Sequence, residues 1–175
     1  MMPAPLNRLN TMLMQRDVLL AGILTVAACA VAFQYLKTQL GTLMLDEIEG
    51  YDRETLVGQL LLYGEAGRML HAQVTLYVDM VFPFAYGALF GGLLALAGRR
   101  TRARFAALLV LPVMGLDWAE NIQLLGLLYG FPDFTDGQIA LASATTMAKF
   151  WAIRLLLVVL IVLALGKLGK RLKGL

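Results

Sequence analysis

Four long apolar stretches, separated by polar segments, dominate this chain of 175 residues. A membrane-spanning helix needs about 20 largely apolar residues, and lipid leaves every backbone amide to be hydrogen-bonded within the span itself. The pattern therefore predicts an all-α integral membrane protein, a single-domain bundle of four transmembrane helices. The predicted spans cover residues 17–37, 73–98, 105–129 and 139–166, and the first outer loop covers 38–72.

Lys and Arg residues lie mainly in alternate connections between the spans. They occur before the first span, in "GRRTRAR" between the second and third, and after the fourth, whereas the other two connections are acidic. Cytoplasmic connections carry the excess of Lys and Arg, so we expect both termini in the cytoplasm and the chain in a bacterial inner membrane. We interpret the basic tail as a topology signal that contacts membrane lipids, and we expect no nucleic-acid partner.

The first outer loop contains the pattern of a short amphipathic helix in "YDRETLVGQLLLYG". Asp52 is suited to cap the start of this helix, and Gly64 is suited to end it. Four apolar residues share one face: Leu56, Val57, Leu60 and Leu61. We expect this helix either to cover the end of the bundle or to act as a lid over a site that opens outward.

Charged and amide side chains interrupt three of the spans. One charged side chain at mid-span costs about 2.5–3.5 kcal/mol on insertion scales, so these side chains should face the bundle interior and pair with one another. At about 1.5 Å per residue, most of them fall in the outer half of the bilayer or near its centre. They are Asp79 in the second span, Asp117, Glu120 and Asn121 on one stripe of the third, and Lys149 and Arg154 in the fourth.

Three further residues in the spans shape this prediction. Arg154 points about 140° away from Lys149 around the helix, so we expect it to pair elsewhere, cap a carbonyl or extend toward the cytoplasmic side. Pro83 and Pro112 are expected to kink the second and third spans and to open a pocket between the helices.

The intramembrane carboxylates predict a buried polar pocket with acid/base character. Since Asp79, Asp117 and Glu120 outnumber the lysine, a low dielectric favours protonation of one of them, and a protonated carboxyl beside an ionised one can transfer protons. We assign these three residues candidate catalytic roles. Five further residues are candidate ligand contacts: Asn121, Lys149, Tyr86, Trp118 and Thr146. The leading hypothesis is the binding or conversion of an apolar, lipid-like small molecule.

Two alternatives remain open at this stage. The chain could be a proton-coupled or ion transporter that acts as an oligomer, for example a homodimer, or a structural protein whose charges only pack helices. We predict no cofactor and no metal site, because Cys29 and His71 are the only cysteine and histidine. We expect Cys29 to be a packing residue and His71 an interfacial residue without a catalytic role. No nucleotide-binding motif is present.

The second-span segment "YVDMVFPFAYGALF" resembles the corresponding motif of the EXPERA superfamily, which includes sterol isomerases and the sigma-2 receptor. The resemblance covers about the first half of the chain, and "DWAEN" and Lys149 have no counterpart in it. It implies cytoplasmic termini, a helix in the first outer loop and a site for sterol-like lipids. In this resemblance Asp79 matches the second-span acid, and Asp46 matches the acid near the end of the first span.

Overall fold

The computed structural model describes residues 4–98 and 102–172, and within those ranges it is helical, without strands. Three shorter segments connect the helices: 3-10 turns at Leu45–Glu47 and Arg102–Leu109, and a π-helical turn at Thr75–Asp79. The six α-helices are α1 (Ala4–Leu13), α2 (Arg16–Leu40), α3 (Arg53–Val74), α4 (Phe82–Gly98), α5 (Val110–Gly130) and α6 (Asp136–Leu172). The predicted all-helical fold is thus confirmed.

Three helical segments of the described chain are long and apolar enough to cross a membrane: Arg16–Leu40, Phe105–Gly130 and Asp136–Gly169. A fourth crossing exists if Arg53–Asp79 and Phe82–Gly98, which meet at 41°, count as one broken span. In the most apolar window of α5, 44% of the residues are buried, against 11% in those of α2 and α6. The third predicted span is therefore the central helix of the bundle.

The outer-loop helix begins where the sequence predicts, but it does not end there. The Asp52 side chain accepts a hydrogen bond from the Thr55 amide at 2.8 Å, which caps α3. Gly64 leaves the helical conformation at φ 64° and ψ 178°, a region open to glycine because it lacks a Cβ. The helix then resumes and leads directly into the second span, and the membrane boundary at residue 73 stays a prediction.

The second span is interrupted between its outer and inner parts. The π-helical turn ends at Asp79, and Pro83 follows in the first turn of α4, where it has no amide to donate to the preceding turn. This is the kink that Pro83 predicts. Pro112, in contrast, lies in the first turn of α5, a position that tolerates proline. The predicted kink inside the third span is therefore wrong.

The buried side chains form three layers along the bundle axis. An outer core combines the first outer loop, α3, the end of α5 and the start of α6, including Leu45, Leu60, Leu124 and Ile139. An inner core combines α4 with the opposite ends of α5 and α6, including Leu94, Ala95, Val110, Val113 and Leu156. Between the two cores lies a group of buried polar residues that we call the polar layer. It consists of Asp79, Tyr86, Asp117, Glu120, Asn121, Thr146 and Lys149.

Helix α1, which packs against α4, has no counterpart among the elements predicted above. Gly91 and Gly92 of α4 allow this approach: a Cβ on Gly92 would lie 2.5 Å from the Leu13 carbonyl oxygen and 2.6 Å from Leu19 Cδ2. The missing side chains of these glycines thus permit the close helix approach.

Candidate functional site

The polar layer brings together seven of the eight residues that the sequence predicts for the site. Each is at most 8% exposed to solvent. They are Asp79 at the end of the π-helical turn, Tyr86 on α4, Asp117, Glu120 and Asn121 on α5, and Thr146 and Lys149 on α6. The i, i+3, i+4 spacing on α5 and the i, i+3 spacing on α6 turn both sets toward each other.

Lys149 is the cationic centre of the polar layer. Its Nζ lies 3.3 Å from Asp117 Oδ1 and also contacts Glu120 Oε2. Because these carboxylates lie one helical turn apart on α5, the single ammonium joins α5 to α6 through both. Thr146, one turn before Lys149, lies near the Glu120 carboxylate, but its hydroxyl has no hydrogen-bond partner within residues 4–98 and 102–172.

Two residues outside the predicted site, Asp46 and His71, lie beside it in the structure. The predictions above point to Asp46 only through the EXPERA resemblance. His71 is 1% exposed, and its Nε2 lies 3.6 Å from Asp46 Oδ1. His71 is buried because α3 continues into the bundle, and its position at the membrane interface stays a prediction. Two signals were available: the apolar residues around Asp46 in "TLMLDEIEG", and the helical continuity from Gly64 into the second span.

The charge of Asp46 reaches the polar layer. Burial raises the pKa of its carboxyl, but the His71 ring and the Lys149 charge lower it, and the net effect is a pKa below the usual range. Asp46 in turn acts electrostatically on Asp79, Asp117 and Lys149. Four carboxylates, with that of Glu120, therefore share the field of one lysine.

The segment 41–52 inserts along α6 and closes the outer side of the layer. The Tyr51 amide donates to Ser143 Oγ at 2.8 Å, and Gly50, at φ 83°, packs against Met147. The Tyr51 hydroxyl lies near that of Thr146, and burial raises the pKa of Tyr51 to about 12. The phenol therefore stays protonated and available as a hydrogen-bond donor.

Arg154 also holds the segment 41–52 against α6, through an ion pair with Glu49. Its two terminal nitrogens each lie 2.6 Å from a carboxylate oxygen of Glu49, a bidentate pair. Side chains on a helix lean toward its N-terminus, so Arg154 extends outward. Of the three predicted alternatives, pairing elsewhere is confirmed by the contact with Glu49.

The two aromatic residues of the predicted site have different environments. Tyr86 is buried edge-to-face against Phe82, with 5.2 Å between ring centroids, and its hydroxyl interacts with Asp117. Trp118 is half-buried, and its Nε1 donates to the Met80 carbonyl at 3.1 Å. Trp118 thus satisfies a backbone group at the helix break, and its polar atom is committed there.

Hydrogen-bonding capacity is left over in the polar layer. Asn121 is fully buried, yet neither its Oδ1 nor its Nδ2 has a hydrogen-bond partner within residues 4–98 and 102–172. His71 Nδ1 is likewise unpartnered in that part of the chain. Within the same residues, no three His, Cys, Asp or Glu side chains are grouped so as to hold a metal ion. The unpartnered amide of Asn121 and ring nitrogen of His71 therefore suit a neutral polar group of a ligand better than a metal cation.

A groove of about 440 Å³ opens on the outer side of the bundle next to this site. Apolar residues of α6, among them Ile139, Ala140 and Met147, form one side, and Tyr51 and Arg53 lie at the other. Tyr51 therefore contacts both the groove and, through Thr146, the polar layer. None of the eight predicted site residues lines this groove, so the buried polar pocket stays a prediction.

Comparisons of the chain with models of protein families, with curated proteins and with solved structures find no match. The resemblance of the second span to the EXPERA superfamily therefore stays a prediction.

Proposed function

We propose that this protein crosses the membrane four times, with both termini in the cytoplasm, and that it binds an apolar, lipid-like small molecule in its polar layer. The exposed faces of the outer helices support insertion. On α6, the side chains of Leu155, Val158, Ile161, Val162 and Leu165 are each more than half exposed. Soluble monomers rarely expose an apolar surface of this extent.

The position of the site agrees with access from the outer leaflet. At about 1.5 Å per residue, Asp79 would lie roughly 28 Å from the cytoplasmic end of α4 at Gly98. The hydrocarbon core is about 30 Å thick, so the polar layer would lie just inside its outer boundary. The groove beside Tyr51 has a volume within the range of about 300–1,000 Å³ that is usual for small-molecule sites.

The observation that carries the proposal is the unpartnered amide of Asn121. A polar network that serves only to join helices is expected to satisfy its buried groups, because a buried amide without partners costs about 1–3 kcal/mol. Asn121 keeps a donor and an acceptor free beside Lys149 and its carboxylates. A ligand with a hydroxyl or carbonyl group could bond to both, and its apolar body would extend toward the groove.

The test compares binding with stability in the variant Asn121→Leu. The protein is reconstituted in nanodiscs and labelled with photoactivatable sterol and fatty-acid analogues, the sterol chosen because the second-span resemblance implies that class. We expect saturable labelling of the native chain and a loss of roughly three- to tenfold in Asn121→Leu, the equivalent of one or two hydrogen bonds. The unfolding temperature should stay the same or rise, since leucine removes an unsatisfied group.

Gln123→Leu provides the matched control on the same helix. Gln123 donates to Thr145 Oγ1 at 3.2 Å, so its replacement removes a hydrogen bond but no predicted ligand contact. Labelling should not change. If Asn121→Leu instead lowers the unfolding temperature and leaves labelling intact, the polar layer only packs helices.

A second measurement addresses chemical conversion by the carboxylates. If Asp79, Asp117 or Glu120 transfers protons to and from a carbon of the ligand, ligand recovered from D2O buffer will carry deuterium. We expect Glu120→Gln to abolish this exchange while photolabelling persists. Labelling without exchange in the native protein would restrict the function to binding.

A further inference from the structure

A second groove, of about 290 Å³, lies between the cytoplasmic parts of α4 and α6. Leu93 and Ala97 are one turn apart on α4, and Leu160 and Ala164 are one turn apart on α6. The small alanine side chains leave space between the leucines, so the groove follows the direction of the helices. Its lining is apolar except at one end, where Lys167 lies beside Leu168.

Lys167 has free donors at this end of the groove. Its Nζ donates to the Leu96 carbonyl at 3.3 Å, and an ammonium has three N–H groups, so two remain for another acceptor. No carboxylate within residues 4–98 and 102–169 forms an ion pair with it. The cationic end of the groove is thus uncompensated by acidic side chains in that part of the chain.

We propose that this groove binds one anionic phospholipid of the cytoplasmic leaflet, with an acyl chain along Ala97 and Ala164 and the phosphate at Lys167. The inference rests on the membrane orientation proposed above. An apolar channel that ends in a cation matches the two ends of such a lipid, and basic sites between helices on the cytoplasmic side favour anionic headgroups. A zwitterionic lipid carries its own cation, so its attraction to Lys167 is weaker.

The charge term is tested by native mass spectrometry of the full chain, released from vesicles that contain equal amounts of phosphatidylglycerol and phosphatidylcholine. We expect one retained lipid with a preference for phosphatidylglycerol. Lys167→Gln should reduce that preference about fivefold, which corresponds to about 1 kcal/mol. Arg16→Gln is the matched control: it removes a charge at the cytoplasmic start of α2, away from the groove lining, and should leave the preference unchanged.

The apolar term is tested by filling the groove. Ala164→Leu keeps every charge, and it should reduce retention of both lipids at least fivefold. Ala21→Leu places the same enlargement on the exposed face of α2 and should have no effect. These paired variants separate loss of the site from loss of folding, since all four chains must elute as folded protein before measurement.

Three results would overturn the proposal. The first is equal retention of the two lipids by the native chain. The second is displacement of phosphatidylglycerol by millimolar glycerol phosphate, which would show a site for phosphate alone. The third is a dimer that Ala164→Leu converts to monomer, which would make a second copy of the chain the occupant. Asn121→Leu should leave lipid retention unchanged, so this test can fail or succeed independently of ligand binding in the polar layer.

Discussion

The polar layer and the inner core join the same helices by different physical means. In the inner core, α4, α5 and α6 meet through apolar side chains such as Leu94, Val113 and Leu156. In the polar layer, one to two turns further out, α5 and α6 meet through Lys149 and the carboxylates of Asp117 and Glu120. Apolar packing stabilises through close contacts between complementary surfaces. A buried charge stabilises only while its partner charge is present.

This difference concerns the free energy that it costs to join the helices in the two regions. Well-packed apolar residues can hold helices at less cost than buried ion pairs, and the inner core shows that these helices can be held that way. The polar layer thus joins the helices at a higher desolvation cost than the inner core. Variants that alter one region and leave the other unchanged test this difference.

The largest effect is expected from Lys149→Met. Methionine fills a similar volume, but it leaves Asp117 and Glu120 buried without a cation. Breaking a buried ion pair from one side costs about 3–5 kcal/mol, which should be visible as a marked fall in the unfolding temperature in detergent. Arg or Lys residues at the chain ends do not compensate, because no described one lies in the polar layer.

Double variants serve as the control, because they should reverse part of this loss of stability. Adding Glu120→Gln to Lys149→Met removes one of the stranded charges and should recover part of the lost stability, and adding Asp117→Asn should recover more. A cost below about 1 kcal/mol for Lys149→Met, with no recovery in the double variant, would show that the ion pairs do not join α5 to α6.

The corresponding change in the inner region is Gly92→Ala. The new Cβ would meet the Leu13 carbonyl oxygen, a backbone atom, so α1 or α4 must shift. Overpacking of this kind costs about 1–3 kcal/mol, and chemical denaturation of the reconstituted protein should show it without any loss of photolabelling. Photolabelling that falls together with stability would mean that the two regions are coupled.

Gly115→Ala is the matched control for this prediction. Gly115 lies within α5, and a Cβ there would meet nothing within 4 Å. Alanine favours the helix over glycine by about 0.5–1 kcal/mol, so this variant should be slightly more stable than the native chain. The same substitution is thus expected to have opposite signs at the two sites.

Most of the helical fold follows from residue patterns. The apolar stretches predict α2, α5 and α6 closely, Asp52 predicts the start of α3, and Gly64 predicts its break. Helix α1 is missed because its sequence, with Asn7, Arg8 and Asn10, has no long apolar run. Its stability comes from packing against the glycines of α4, which is a tertiary effect.

The site is predicted less completely, for a related reason. Charges inside an apolar span are conspicuous, so Asp79, Asp117, Glu120 and Lys149 could be identified from position alone. Asp46 and Glu49 lie in a connection that is acidic as a whole. The apolar residues around Asp46 are a local signal of burial, whereas nothing local distinguishes Glu49 from a solvated loop residue. Their burial or pairing depends on the segment 41–52 folding against α6, over about 100 positions of sequence separation from Glu49 to Arg154.

The smallest effect is expected at the outer boundary of the polar layer, where Glu49 pairs with Arg154. The side-chain hydrogen bond from Arg154 holds the pKa of Glu49 below its ordinary value of 4.5. The pair therefore stabilises the folded chain above about pH 4.5, and its contribution is lost as the pH falls through the lower, folded-state pKa. Glu49→Gln should lower the unfolding temperature slightly at pH 6, and the difference from the native chain should shrink as the pH falls through the folded-state pKa of Glu49. In an Arg154→Gln background, Glu49→Gln should not change the unfolding temperature at any of these pH values. A difference that persists there would show that another partner of Glu49 causes the effect, and that Arg154 does not hold segment 41–52 in place.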